Sequence, residues 1–280
     1  MLTSTQPETG QLMGSLPYVK VGDGPKTLLV IPGLGDTMFD GSYGRVGAWL
    51  ARRTWRRYGE TYTVYVVSRP RGLADGRTIR GMAADYARVL ENRLESASVL
   101  GISMGGLIAQ ELAFGRPDLV DRLVVAVSGC RLSEEGARIV KRLQWYALER
   151  DWTEIRATLF EEMYTGRKQR VFPTLARSAG RVRPPNPADP EDVLVSIDAV
   201  LEYDGTDHLG EIEPRTLVIG GTDDPFFPEE ILRETHERLP DAQLAMFRDA
   251  RHGAFLERKE GFDNWVLQFL EGEEVRISQR

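Results

Sequence analysis

The sequence has one cysteine in 280 residues, Cys130, so no internal disulfide can form. That usage fits a reducing compartment, and a cytoplasmic location is the expectation. Histidine is nearly as scarce. His208, His236 and His252 stand far apart, with no Cys or His pair at metal-ligand spacing, and no metal is expected. No apolar run reaches the roughly 18–20 residues that a bilayer-spanning helix needs. The segment Met1–Gly10 is polar and lacks the basic stretch and apolar core of a secretory signal. Cationic charge is not in excess: Lys and Arg number 36 against 42 Asp and Glu, a formal net charge of −6. That balance argues against nucleic acid as a partner. The cluster Arg52, Arg53, Arg56, Arg57 reads as the solvated side of a helix. No Gly-x-Gly-x-x-Gly or Walker loop is present, and no nucleotide cofactor, nor any other, is expected.

What is present is an alternation of strand and helix patterns. Thr27–Ile31, Thr63–Ser68, Ser98–Ile102, Leu123–Val127, Thr216–Ile219 and Gln243–Phe247 are runs of Val, Leu, Ile and aromatic residues that read as strands. The inner ones are nearly continuous in apolar residues, as expected of parallel strands covered on both faces. Tyr18–Val21 and Gln11–Ser15 read as antiparallel strands at one edge. Stripes at helical spacing lie between them: Ile79 to Leu94, Met104 to Leu112, Phe262 to Leu270. The expected fold is α/β, a mostly parallel twisted sheet of about eight strands with helices on both faces. The alternation breaks between Arg131 and Glu213. There, Asp151 with Glu154 reads as a reciprocal helix cap, and Asp189-Pro190-Glu191-Asp192 as a second helix start. Residues 131–213 are therefore expected to form an inserted helical lid on a core of residues 1–130 and 214–280.

The strongest local signal is Gly101-Ile102-Ser103-Met104-Gly105-Gly106, where a strand runs into a helix at Ser103. A serine on such a turn projects its hydroxyl clear of the sheet, and glycines two positions either side avoid collision with the turn. The helix start also lets the Met104 amide face a developing oxyanion. Together with Leu107–Phe114, Arg116-Pro117 and Leu123–Ser128, these residues resemble the α/β-hydrolase superfamily of serine hydrolases, over nearly the whole span from Pro17 to Leu270.

The resemblance implies a Ser-Asp-His order of catalytic residues. Its base follows the last strand, which points to His252 in Ala250-Arg251-His252-Gly253, although Arg251 stands where many members have Gly. Its acid loop, matched on Gly221 and Pro228, selects Asp224 over Asp223. Asp223 is expected to be a turn residue accepting backbone amides. The second oxyanion donor falls on the Leu34 amide in Ile31-Pro32-Gly33-Leu34, with Pro32 in place of the usual His. The expected activity is hydrolysis of a small-molecule carboxylic ester through an acyl-enzyme. The insertion's aromatic residues Trp145, Tyr146, Trp152, Phe160, Tyr164, Phe172 and Tyr203, with Met163, fit a roof over an apolar acyl or alcohol part, and equally the glue between helices. Ser103 argues against dehalogenase and epoxide-hydrolase chemistries, which put Asp at this turn. Thioester, lactone, amide or carbon–carbon hydrolysis, acyl transfer and perhydrolysis remain alternatives on the same triad, as does a ligand-binding or signalling protein on the same fold.

Overall fold

Residues 6–39 and 41–275 are described by the structure, a computed structural model. Residues 1–5 of the polar N-terminal segment lie outside them. The strand-forming runs assemble into one sheet: β1 (Glu8–Leu12), β2 (Leu16–Val21), β3 (Lys26–Ile31), β4 (Tyr62–Val67), β5 (Ala97–Ile102), β6 (Val120–Ala126), β7 (Thr216–Gly221) and β8 (Ala242–Phe247). Their order is β1-β2-β4-β3-β5-β6-β7-β8. Strands β3 to β8 are parallel, and β1 and β2 add an antiparallel edge. Register aligns the strand ends: Ile31 pairs with Gly101, Ile102 with Ala126, and Gly221 with Phe247. The loops after β3, β5, β7 and β8 thus leave the same edge of the sheet.

The helices are α1 (Arg45–Trp55), α2 (Ile79–Val89), α3 (Met104–Gly115), α4 (Glu134–Leu148), α5 (Trp152–Met163), α6 (Gly166–Val182), α7 (Pro190–Leu201), α8 (Glu229–Arg238), α9 (Ala254–Glu257) and α10 (Lys259–Leu270). Alternate residues of the central strands enter two different cores. Leu29, Ile31, Val99, Leu123 and Val125 pack with α2, α3 and α8. Leu28, Val30, Leu100, Val124 and Ala126 pack with α1 and α10. Both faces are covered, which is why these strands are apolar throughout rather than alternating.

The edge strand differs from its sequence reading of Gln11–Ser15. Met13 and Gly14 take positive φ values of 49° and 78°, and Ser15 N–H bonds to the Leu12 carbonyl at 3.1 Å. Residues 13–15 are therefore the hairpin turn, and the strand lies N-terminal to them. Between β6 and β7 come α4 to α7, with α5 packed on α6 and α4 on α7. Asp151 caps α5 by accepting from Glu154 N–H at 3.0 Å. The reciprocal half of that cap does not form, because the Glu154 carboxylate is taken by Arg177 of α6 at 2.8 Å.

At the start of α7, Asp189 caps by accepting from Glu191 N–H at 3.0 Å. Asp192 instead turns inward. It is buried and accepts from Gly72 N–H at 3.0 Å and Leu73 N–H at 2.6 Å, tying α7 to the loop after β4. Burial pushes its carboxyl above the usual range even though two amides donate to it. Asp192→Ala leaves both amides without their acceptor and should cost about 2–3 kcal/mol of unfolding free energy. Exposed Glu191→Ala should stay within about 0.5 kcal/mol. Urea denaturation of the two variants against wild type checks the contrast.

Candidate active site

β5 ends at Ile102, and α3 starts at Met104, with Ser103 alone in between. Ser103 holds φ 55° and ψ −124°, a conformation that L residues avoid. Its amide bonds to the Ala126 carbonyl of β6 at 2.9 Å, so the turn is fixed to the neighbouring strand. The flanking glycines are a steric requirement. A Cβ on Gly101 would lie 2.2 Å from the Gly105 carbonyl oxygen, and one on Gly105 would lie 2.0 Å from that of Ile31. The first turn of α3 therefore sits directly on the end of β3.

The loops after β7 and β8 are laced together. Thr222 N–H bonds to the Phe247 carbonyl at 3.1 Å and Asp223 N–H to that of Ala250 at 3.0 Å. Asp249 N–H bonds to Thr222 Oγ1 at 3.0 Å. The lacing carries His252 to Asp224. His252 Nδ1–H donates to Asp224 Oδ2 at 2.7 Å, and Nε2 stands 2.8 Å from Ser103 Oγ. The other carboxylate oxygen, Oδ1, accepts from Phe226 N–H at 2.9 Å and Phe227 N–H at 3.2 Å. Asp224 is thereby an acceptor on both sides, which fixes the proton on Nδ1 and leaves Nε2 able to accept from the serine hydroxyl. Asp224 is 1% exposed and His252 7%. The imidazole lies against the Phe226 ring at 4.6 Å and the Phe227 ring at 6.2 Å.

Ser103, His252 and Asp224 are thus brought together, and Asp223 is not. Asp223 is exposed, and among the described residues its carboxylate accepts from Thr222 Oγ1, at 3.0 Å. The backbone amides expected to bond it go to Asp224 instead. His208 pairs with Glu111 at 2.7 Å beside Phe114, and His236 is half-buried on α8. Leu34 and Met104 are first residues of their helices, a 3-10 turn over Leu34–Met38 and α3, where no intrahelical carbonyl faces the amide. Gly33 brings the Leu34 loop against the serine: a Cβ on it would lie 3.6 Å from Ser103 Oγ. Among the described residues, no cluster of three His, Cys, Asp or Glu could hold a metal. Nor is any helix of the described residues long and apolar enough to cross a membrane.

Two arginines at this edge were not found from sequence. Arg69 is fully buried and donates to the Pro32 and Gly33 carbonyls, each at 3.0 Å. Arg251, noted only as a departure from the superfamily, pairs with Glu162 at the end of α5. Burial raises the Glu162 carboxyl despite Arg251 and Arg142 facing it. Next to them, Gly253 N–H bonds to the Met163 carbonyl at 2.7 Å. Of the insertion's aromatics, Phe160, Tyr164 and Phe172 pack on one another between α5 and α6 and line an apolar hollow of about 390 Å³.

Residues 28–264 match the model of the alpha/beta hydrolase family. The chain belongs to that family. The enzyme is 26% identical over 216 residues to the 2-hydroxy-6-oxo-6-phenylhexa-2,4-dienoate hydrolase of Comamonas testosteroni, spanning 74% of this chain and 72% of that one. It is 23% identical over 231 residues to the pimeloyl-[acyl-carrier protein] methyl ester esterase of Vibrio campbellii, spanning 74% of this chain and 84% of that one. Among solved structures, the enol-lactonase from Burkholderia xenovorans LB400 superposes with a TM-score of 0.78 at 19% identity, over 94% of this hydrolase and 100% of that chain. That likeness establishes the fold.

The close approach of α3 to β3 yields a stability test within one helix. Gly105→Ala in this hydrolase should cost about 3 kcal/mol or prevent folding, since its Cβ meets buried backbone. Gly115→Ala, at the other end of α3 with nothing within 4 Å, should gain about 0.5–1 kcal/mol. Chemical denaturation midpoints measure both.

Proposed function

We propose that the protein is a serine hydrolase that cleaves a carboxylic ester through an acyl-enzyme. The observation that carries this reading is the unbroken path from Ser103 Oγ through His252 to Asp224, at 2.8 and 2.7 Å. Ser103 Oγ attacks the carbonyl carbon while its proton passes to His252 Nε2. Asp224 holds the imidazole in the needed tautomer and stabilises the imidazolium. The Leu34 and Met104 amides receive the negative charge that forms on the carbonyl oxygen. His252 then returns the proton to the departing alcohol. Water repeats the sequence on the acyl-serine and releases the acid, with no cofactor required.

Residues 131–213 serve in this reading as a helical lid on the core of residues 1–130 and 214–280. Its support is the polar attachment of the α5 end to the base loop, Gly253 N–H to the Met163 carbonyl. The preferred substrate carries an apolar acyl or alcohol part, and a cytoplasmic setting suits the lone Cys130, which is buried and reduced. A second reading, hydrolysis of a carbon–carbon bond beside a ketone, is favoured by the likeness to the Comamonas dienoate hydrolase. The same groups can attack a ketone carbonyl, and cleavage there expels a stabilised carbanion that His252 protonates.

A panel of p-nitrophenyl esters of increasing acyl length, with a dienoate ketone alongside, separates these readings. Turnover of esters above that of the ketone is expected; the reverse favours the second reading. No burst and no turnover on either would mark a binding protein. Ser103→Ala should lose about 10⁴-fold or more in kcat, and a fluorophosphonate should label Ser103 in the wild type only. Asp224→Asn should cost about 10⁴-fold by favouring the wrong imidazole tautomer, as in serine proteases. Asp223→Asn should stay within a few-fold. Kinetics with circular dichroism of both variants decide whether Asp224 is the acid.

A further inference from the structure

We propose that Arg69 is a positioning residue that sets the oxyanion donor. Its guanidinium holds the Gly33–Leu34 peptide so that the Leu34 N–H faces Ser103. This rests on the proposed roles of Ser103 and the Leu34 amide.

Arg69 is the second residue after β4 and is 0% exposed. A guanidinium so placed is expensive to desolvate, and carboxylates are its usual partners. Here the nearest carboxylate oxygen, Asp36 Oδ2, is 3.9 Å away and is nearer to Arg71, at 3.3 Å. Arg69 Nη1 and Nη2 are used instead on two consecutive carbonyls, Pro32 and Gly33, each at 3.0 Å. Those carbonyls lie just beyond the end of β3. Pro32 has no N–H of its own with which to anchor this turn.

The Gly33 carbonyl and the Leu34 N–H belong to one peptide unit. In a trans peptide they point in opposite directions. Drawing the Gly33 oxygen toward Arg69 therefore turns the Leu34 N–H away from Arg69. Gly33 is the residue of this loop that abuts Ser103, as a Cβ built on it would lie 3.1 Å from Ser103 Cβ. The same oxygen also accepts from Asp36 N–H at 3.1 Å, and the Leu34 carbonyl accepts from Thr37 Oγ1 at 2.8 Å. Those neutral bonds shape the turn. Arg69 adds a full charge behind the carbonyl, which polarises the peptide and makes its N–H a stronger donor. Asp36 is held for this arrangement by Ser68 Oγ at 2.6 Å and by Arg71 donating to its carbonyl at 3.1 Å.

The test uses the full chain with Arg69→Met and Arg69→Lys, an ester substrate and its thionoester analogue. Sulfur accepts N–H hydrogen bonds more weakly than oxygen, so the thionoester depends less on the hole. Arg69→Met should lower kcat for the ester about 10–100-fold, the scale of a damaged oxyanion donor. KM should stay within about three-fold, because the loss falls on the transition state. The thionoester rate should fall less, so the ratio of the two rates shrinks. Arg69→Lys keeps the charge but reaches one carbonyl, and should fall between. It also carries the test if the Met variant does not fold. Unchanged ester kcat in a folded variant, or equal losses on both substrates, overturns the proposal. Esterase activity surviving Ser103→Ala would instead overturn the underlying reading of the site.

Discussion

Ser103 is held at φ 55° and ψ −124°, and the loops at its edge of the sheet are arranged around that strained residue. Such a conformation costs about 1–3 kcal/mol and persists only where the surroundings over-determine it. Here they do. The Ser103 amide is bonded to β6, and Gly101 and Gly105 allow α3 to start in contact with the end of β3. That contact has a chemical consequence. The N-terminus of α3 and the loop leaving β3 share one small volume, with Gly33 packed against Ser103. A larger residue at position 105 would drive the start of α3 off the Ile31 and Pro32 carbonyls.

The second constraint is the lacing of the loops after β7 and β8. Gly221 permits it, since a Cβ there would lie 2.1 Å from the Ala250 carbonyl oxygen. With the loops this close, the His252–Asp224 bond is set by backbone geometry rather than by side-chain packing. Two amides on Asp224 Oδ1 leave Oδ2 as the oxygen that meets the imidazole. The serine and the imidazole thus come from different loops, each fixed independently to the sheet, and they meet at hydrogen-bond distance without sharing a support.

Much of this was legible in the sequence because the signals are local. Six parallel strands fall within about three residues of their apolar runs, since their middles are buried on both faces; the largest shift is at β6, whose start carries the polar Asp121 and Arg122. Ser103 stands in a short strand-to-helix pattern, and the resemblance to the superfamily pointed from there to His252 and Asp224, which lie at hydrogen-bond distance from one another and from Ser103. What was not legible depends on partners distant in sequence. Arg69, in Ser68-Arg69-Pro70-Arg71, has the composition of a solvated turn, and its burial follows only from Pro32, Gly33 and Asp36 on another loop. Glu154 has the spacing of a reciprocal cap, but Arg177 competes for it and offers charge-assisted bonds in place of one amide. α6 runs through Pro173, although a proline inside a helix removes one backbone hydrogen bond. At the β1–β2 edge, a positive φ at Met13 moved the turn where alternation alone placed a strand.

The insertion is joined to the loops of the candidate site by polar bonds at several points, among them Ser133, which donates to the Pro225 and Phe226 carbonyls beside Asp224. At the end of α5, Glu162 and Met163 bond to Arg251 and Gly253, the residues flanking His252. At the start of α7, Asp192 bonds to Gly72 and Leu73, which follow Arg71, and Arg71 in turn holds Asp36 of the Leu34 turn. Hydrogen bonds fix distance and direction more narrowly than apolar contact, which tolerates sliding. The α5 attachment therefore acts on the loop that carries His252, and the α7 attachment on the loop that leads through Arg71 to the Leu34 turn. Arg251 is what makes the first possible, because a glycine before the histidine has no side chain to reach Glu162. The departure from the superfamily pattern at position 251 is thus matched by a structural partner, and it makes the position of α5 and the position of His252 a single geometric problem.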